Sequence, residues 1–233
     1  MLGTIGTRDD VRELFKKHGQ DDVYDWAEEV LDQIDGRRES HPNERVAEIE
    51  IVHGDLDLAE LVLEGPFIVI IDGNLRATGD LDFTTAVYQR SLVVVFGEVT
   101  ARHFRFNSGA SVFINRNLTL AGECFGDHGD ESAELYCQKL TARALILDHV
   151  TGVNATELDC VVCSADGWGL PQHVDYAAKE GHAELFAPEV LSEGISVEQA
   201  YAHAHANNDI FLPGAYDRLR ATKPPTVPRS KPR

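Results

Sequence analysis

The chain has 233 residues, 43% of them hydrophobic, and a formal net charge of −18. That length supports one substantial core with appendages, and no apolar run reaches the roughly twenty residues of a membrane-spanning helix. The acid excess makes nucleic acid and anionic membrane poor partners, since both would be repelled, whereas a basic protein would be attracted.

Met1-Leu2-Gly3-Thr4 lacks the charged and apolar regions of a signal peptide, so a cytoplasmic location is expected. Residues 1–45 read as an N-terminal helical cap. Thr7 to His18 predicts a short helix: Thr7 caps it, Asp9 and Asp10 suit its positive end, Val11, Leu14 and Phe15 share a face, and Gly19 follows Lys16 and Lys17. Asp21 to Ile34 predicts a second helix, with Val23, Trp26, Ala27, Val30, Leu31 and Ile34 at helical spacing and Gly36 as its stop. The pair is expected to pack over the open N-terminal end of the next domain, joined to it by a charged linker containing His41-Pro42-Asn43.

Residues 46–165 repeat a loose unit of about twenty residues, the mark of a repeat architecture. Leu92, Val112, Leu135 and Leu158 are expected in one row, and a second row runs through Leu75, Val99, Leu118 and Leu140. Stacked coils would bury a continuous interior that no single unit could bury alone. The fold class is therefore mainly β: a single-stranded parallel β-helix (solenoid) of about five to six coils, capped by α-helices at both ends. The non-alternating run Ile68-Val69-Ile70-Ile71 predicts a strand buried on both sides, by the N-terminal helices. Cys137 and Cys160 are expected at one repeat position, pointing inward. Cys160-Val-Val-Cys163 looks like half a zinc site, but residues three apart in a strand project to opposite faces, so structural thiols are expected.

Residues 166–217 form a C-terminal helical segment, with helices expected over 171–179, 182–192 and 196–207 and Ser196 as the last N-cap. Residues 218–233 carry six basic side chains, no acidic ones and four prolines, and read as a solvated or draped tail. The largest net charge falls on the solenoid: residues 1–49 hold 13 acidic and 7 basic side chains, residues 50–165 hold 17 and 7, and residues 166–233 hold 9 and 7.

The strongest polar concentration is Gly126-Asp127-His128-Gly129-Asp130-Glu131, followed about one coil later by Asp148-His149. Stacked corners would bring His128 and His149 together with Asp127, Asp130 and Asp148, a donor set that suits a transition metal. The same residues are ordinary turn chemistry, and they also stand as candidate partner-binding residues. His103, outward where Phe104 and Phe106 point inward, does not complete a three-histidine site of the gamma-carbonic-anhydrase kind, because the spacings to His128 and His149 match no single face and the hexapeptide repeat is absent. His203 and His205 lie about 200° apart on a helix, one exposed and one packed. No nucleophile elbow or phosphate loop occurs, so no catalytic residue, resident metal or cofactor is expected.

Asp72-Gly73-Asn74-Leu75, Phe96-Gly97-Glu98-Val99 and Arg116-Asn117-Leu118-Thr119 resemble the repeats of bacterial polymer-forming cytoskeletal proteins, the bactofilin type. The whole arrangement resembles bacterial solenoid proteins associated with polymorphic toxin loci, which implies an immunity or accessory role. Irregular coils and helical ends depart from the bactofilin pattern. The leading expectation is a non-enzymatic acidic protein that neutralises a basic toxin domain by occlusion. The alternatives are a self-associating homo-oligomeric scaffold, and a metal-dependent enzyme using His128 and His149.

Overall fold

The computed structural model describes residues 1–40, 47–85, 88–127, 133–148, 151–164 and 179–221. A two-residue strand, β1 (Thr4–Ile5), precedes α1 (Arg8–Lys17) and α2 (Asp21–Ser40). Thr7 and Asp10 form a reciprocal capping box at the start of α1, and His18 ends it. The second helix runs through Gly36 instead of stopping there. A helical glycine costs only about 1 kcal/mol, too little to end a helix held down by its apolar face.

Six rungs of a parallel β-solenoid follow, spanning five turns. The first is β2 (Ile49–His53), β3 (Leu56–Leu58) and β4 (Leu61–Glu64); the second is β5 (Ile68–Asp72), β6 (Leu75–Ala77) and β7 (Leu81–Thr84). The third is β8 (Ser91–Val95), β9 (Val99–Ala101) and β10 (Phe104–Asn107); the fourth is β11 (Ala110–Ile114), β12 (Asn117–Leu120) and β13 (Cys124–Asp127). In the last two, single long strands, β14 (Glu134–Leu147) and β15 (Gly152–Ser164), turn both corners and supply all three sides. Equivalent positions at 49, 68, 92, 111, 134 and 152 show that a turn takes 18 to 24 residues.

The second predicted row is present and extends further, as Leu56–Leu75–Val99–Leu118–Leu140–Leu158. The first predicted row is not. Val112 stacks on Val93, and the row runs Val69–Val93–Val112–Leu135–Val153. Leu92 is one residue out of register, and Leu158 belongs to the second side. Because side chains alternate, that single residue puts Leu92 on the outer surface, where it joins the helices' apolar cluster. The parallel stacking survives this correction, since the strands pair in parallel at every rung.

The third side supplies a ladder that the repeat alone does not reveal: Leu61–Leu81–Phe104–Cys124–Leu145–Val162. Beside it Gly126 occupies an inward strand position and is not a turn residue; a Cβ there would lie 2.8 Å from Phe106 Cζ and 2.5 Å from Leu147 Cδ2. At another corner a Cβ on Gly97 would lie 2.6 Å from the Gly73 carbonyl oxygen. Gly97→Ala is therefore expected to cost about 1–3 kcal/mol by overpacking, read as a lower urea midpoint. An unchanged midpoint would contradict so close an approach of the coils.

The helices come from both ends of the chain, but α1 and α2 lie along the first side of the solenoid and do not close its end. Phe15, fully buried, meets Phe96 edge-on and Phe113 at a tilt, while Trp26 packs on Tyr136. Their target is the outer row Ile51–Ile70–Val94–Phe113–Tyr136. This explains the non-alternating run at Ile68–Ile71, buried on both sides. At the C-terminal end the described helices are short 3₁₀ turns at Lys179–Glu184 and Pro188–Val190, then α3 (Val197–His205), capped by Ser196, and α4 (Ala215–Ala221). They cover Phe125, Ile146 and Cys163 on the outer third side. The last helix continues past the expected tail boundary at 218: Leu219 is buried and Arg220 pairs with Asp159. The linker at 41–46, the segment 171–178 and the tail from 222 lie outside the described residues.

Candidate functional site: the open acidic surface

With helices on the first side and on the later rungs of the third, the second side is the lateral surface that the described helices leave most open, α4 touching it at the last rung through the Arg220–Asp159 pair. Its apolar residues point inward and two polar columns point out. One runs Asp57–Arg76–Thr100–Thr119–Thr141–Asp159 and the other Asp55–Asn74–Glu98–Asn117–Lys139–Glu157, all exposed or half-buried. Five carboxylates thus stand with two cations of the same columns, and Arg220 of α4 pairs with the last of them, Asp159. Arg76 bridges Asp55 and Asp57, and Lys139 pairs with Glu157. Hydrogen bonds from the Asn74 backbone and side-chain amides, and then from Arg76, hold Asp55 at a pKa of about 2. Glu98 accepts from Asn117 Nδ2 at 3.5 Å and carries no ion pair among the described residues. The central threonines keep the surface flat and hydrated, and the inter-strand ladders make it rigid.

Among the rungs, the net negative charge is greatest at the first. Residues 47–66 contain six carboxylates, Glu48, Glu50, Asp55, Asp57, Glu60 and Glu64, and no Lys or Arg. That concentration is countable in the sequence, but without the rungs it has no place in space.

A second polar seam joins the C-terminal segment to the solenoid. The Asp80 side chain is fully buried and receives Arg102 Nε at 2.7 Å, with His205 Nδ1 also 2.7 Å away. One rung on, Glu123 is contacted by Arg143 Nη1 at 3.0 Å, whose other nitrogen reaches Asp209 at 3.0 Å. The Glu123 backbone N–H donates to His103 Nδ1 at 3.1 Å. His103 does point away from the core, as Phe104 and Phe106 fill it, but it is buried beneath the C-terminal cover. His205 is half-exposed and tied to Asp80; His203 is partly buried. This seam is an anchoring device, since each buried acid is met by an arginine and a histidine.

Of the predicted site residues, Asp127 ends β13 with Arg105 Nη2 at 3.9 Å, and the Asp148 N–H donates to the Gly126 carbonyl at 2.9 Å. The two corners therefore do stack one rung apart. His128, Asp130, Glu131 and His149 lie outside the described residues. Among the described residues no three His, Cys, Asp or Glu side chains are grouped to hold a metal. Cys160 lies in the inner core and Cys163 under the C-terminal cover, on opposite faces as expected. Cys137 stacks on Ala155, not at the position of Cys160, because this last turn takes 18 residues and not the 23 that separate the two cysteines. Burial pushes the Cys137 and Cys160 thiols up to about 12, so neither supplies a thiolate at neutral pH.

The fold and its open surface define a helix-clad, three-sided β-solenoid repeat protein. No family model, curated protein or solved structure matches this chain. No helix among the described residues is long and apolar enough to cross a membrane.

Proposed function

We propose that this chain is a non-enzymatic binding protein whose acidic solenoid receives a basic protein partner, with a toxin domain neutralised by occlusion as the first candidate. The observation that carries the reading is the second side, where rigid carboxylate columns stand on a surface that the described helices leave open up to the last rung. A preformed backbone spends little entropy on binding, and the acid excess speeds encounter with a cation-rich surface. The toxin assignment rests on the resemblance to solenoid proteins of toxin loci.

The first test is co-expression with the products of the neighbouring genes, followed by affinity measurement. Rescue of growth and tight, salt-sensitive binding are expected. Glu98→Lys with Glu157→Lys should slow association about tenfold or more at low salt. A charge-reversed surface that binds equally fast, or a chain that binds no basic partner, would overturn the proposal. The bactofilin-like scaffold is opposed by charge, because two carboxylate-rich first rungs repel each other end to end. A sharp monomer or dimer in sedimentation at high concentration is expected, and growing assemblies would restore the scaffold reading.

A further inference from the structure

We infer that the N-terminal end of the solenoid, at β4, is a strand-addition site for an extended, lysine- or arginine-bearing segment of the partner. This deepens the reading of a basic partner and rests on it. Four observations converge. First, among the described residues β3 pairs only with β6 and β4 only with β7, so both strands present one unpaired edge. Second, the backbone groups along that edge are free in a regular way. The N–H groups of Leu61 and Gly65 bond to the Asp80 and Thr84 carbonyls of the second rung. Alternation along a parallel ladder then turns the N–H and C=O of Val62 and Glu64 toward the open end.

Third, the end has an apolar centre. Val62 is 50% exposed, and Leu56, Leu58 and Leu63 are only partly buried against the core. The C-terminal cover reaches back along the outer row of the third side to Arg105, over which the Tyr201 ring sits at 5.1 Å, while Val62, two rungs earlier, stays half-exposed. Fourth, Glu60 and Glu64 flank Val62, are exposed, and make no ion pair among the described residues. The chain already does this once itself: β1 adds antiparallel to β2, pairing Thr4 with Ile51 and Ile5 with Glu50, and so closes the first-side edge of the same rung. On β4 the corresponding place is open among the described residues.

A strand laid there would bury alternate apolar side chains over Leu61 and Leu63 and set the intervening ones beside Glu60, Val62 and Glu64. The complementary segment alternates apolar and basic residues. Main-chain hydrogen bonds supply affinity in such a mode and the alternate side chains supply selectivity. The same carboxylates discourage a second copy from pairing edge to edge.

The test uses the full chain and a short synthetic peptide alternating valine and lysine, with a valine–glutamate peptide as control. Fluorescence anisotropy should show binding of the lysine peptide alone, with hydrogen-exchange protection appearing at the Val62 and Glu64 amides. Val62→Pro removes an N–H the fold does not use, and proline is tolerated on an edge strand. It should weaken binding about tenfold or more while leaving the melting temperature close to the native value. Glu60→Lys with Glu64→Lys, which does not touch the backbone, should do the same and covers the case in which the proline variant fails to fold. Three results would each overturn the site: equal binding by both variants, protection confined elsewhere, or a peptide affinity that appears only after residues 222–233 are deleted, which would make the chain's own tail the occupant. A concentration-dependent dimer abolished by Val62→Pro would assign the edge to a second copy and likewise overturn it. If a basic partner protein binds the native chain and Val62→Pro equally, the strand site fails and the binding-protein reading stands. If no basic protein binds at all, that reading fails first.

Discussion

Replacing Phe106 with alanine is expected to lower the unfolding free energy by about 3–5 kcal/mol. Phe106 is fully buried, stacked on Phe104 at a centroid distance of 5.6 Å, and its ring fills the space that Gly126 leaves one rung on. The cavity cannot collapse easily. Its walls are strands pinned by ladder hydrogen bonds to the rungs on either side, so the coils would have to lose their register to close it. Urea denaturation should show a lower midpoint with an unchanged slope, the sign of lost stability without a change in the exposed surface. A loss below about 1 kcal/mol, ordinary for a point substitution, would mean that the third-side ladder is not packed as described.

The second large effect is expected at Asp80. Burial opposes its ionisation, but hydrogen bonds from Arg102 and His205 outweigh that, and the carboxyl titrates below its ordinary value. Asp80→Ala strips Arg102 and His205 of their shared anion. Breaking a buried pair costs about 3–5 kcal/mol, and the partial exposure of Arg102 and His205 reduces this to about 2–4 kcal/mol. The loss should be local. Amide exchange should speed up in α3, which carries His205, while the β8 amides remain protected. The pH dependence follows from the direction of the shift. A carboxyl depressed in the folded state contributes stability fully present above its unfolded pKa of about 3.9 and lost as pH falls through the folded value. Acid should therefore loosen the C-terminal segment of the native protein below about pH 4, and Asp80→Asn should already be loosened at neutral pH with a flatter acid response. Uniform destabilisation of all rungs would argue against an anchoring role.

Each misreading of the sequence has a physical origin. The second side was legible because its inward leucines and valines alternate with polar residues that face water, so period two is visible from Leu75 to Leu140. The first side was misregistered by one residue because helices cover it. In Leu92-Val93-Val94-Val95 every residue is buried, and a uniformly apolar strand carries no mark of which residues point inward. The third side was missed because its outer row changes character along the solenoid, from Val62, Asp82 and Arg105 to Phe125, Ile146 and Cys163. That change records where the C-terminal segment docks, a contact between residues far apart in the chain. Gly126-Asp127 resembled turn chemistry, and only the position of the Phe106 ring explains why a glycine stands inside a strand. Of the candidate corner, Asp127 and Asp148 were brought one rung apart as the repeat implied, whereas the open surface and the bare edge at Val62 could be found only once the covered sides were known.

By itself the sequence determined that this is a stacked parallel β-structure, flanked by helices and rich in acid, because a repeat of apolar residues at near-constant intervals has one economical way to bury them all. The tertiary structure decided the register of the first side, the use of the helices as lateral cladding, and which carboxylates stand together on an open surface. Those depend on which face of each strand meets which helix, and that choice is made by packing between distant segments, where local periodicity is silent.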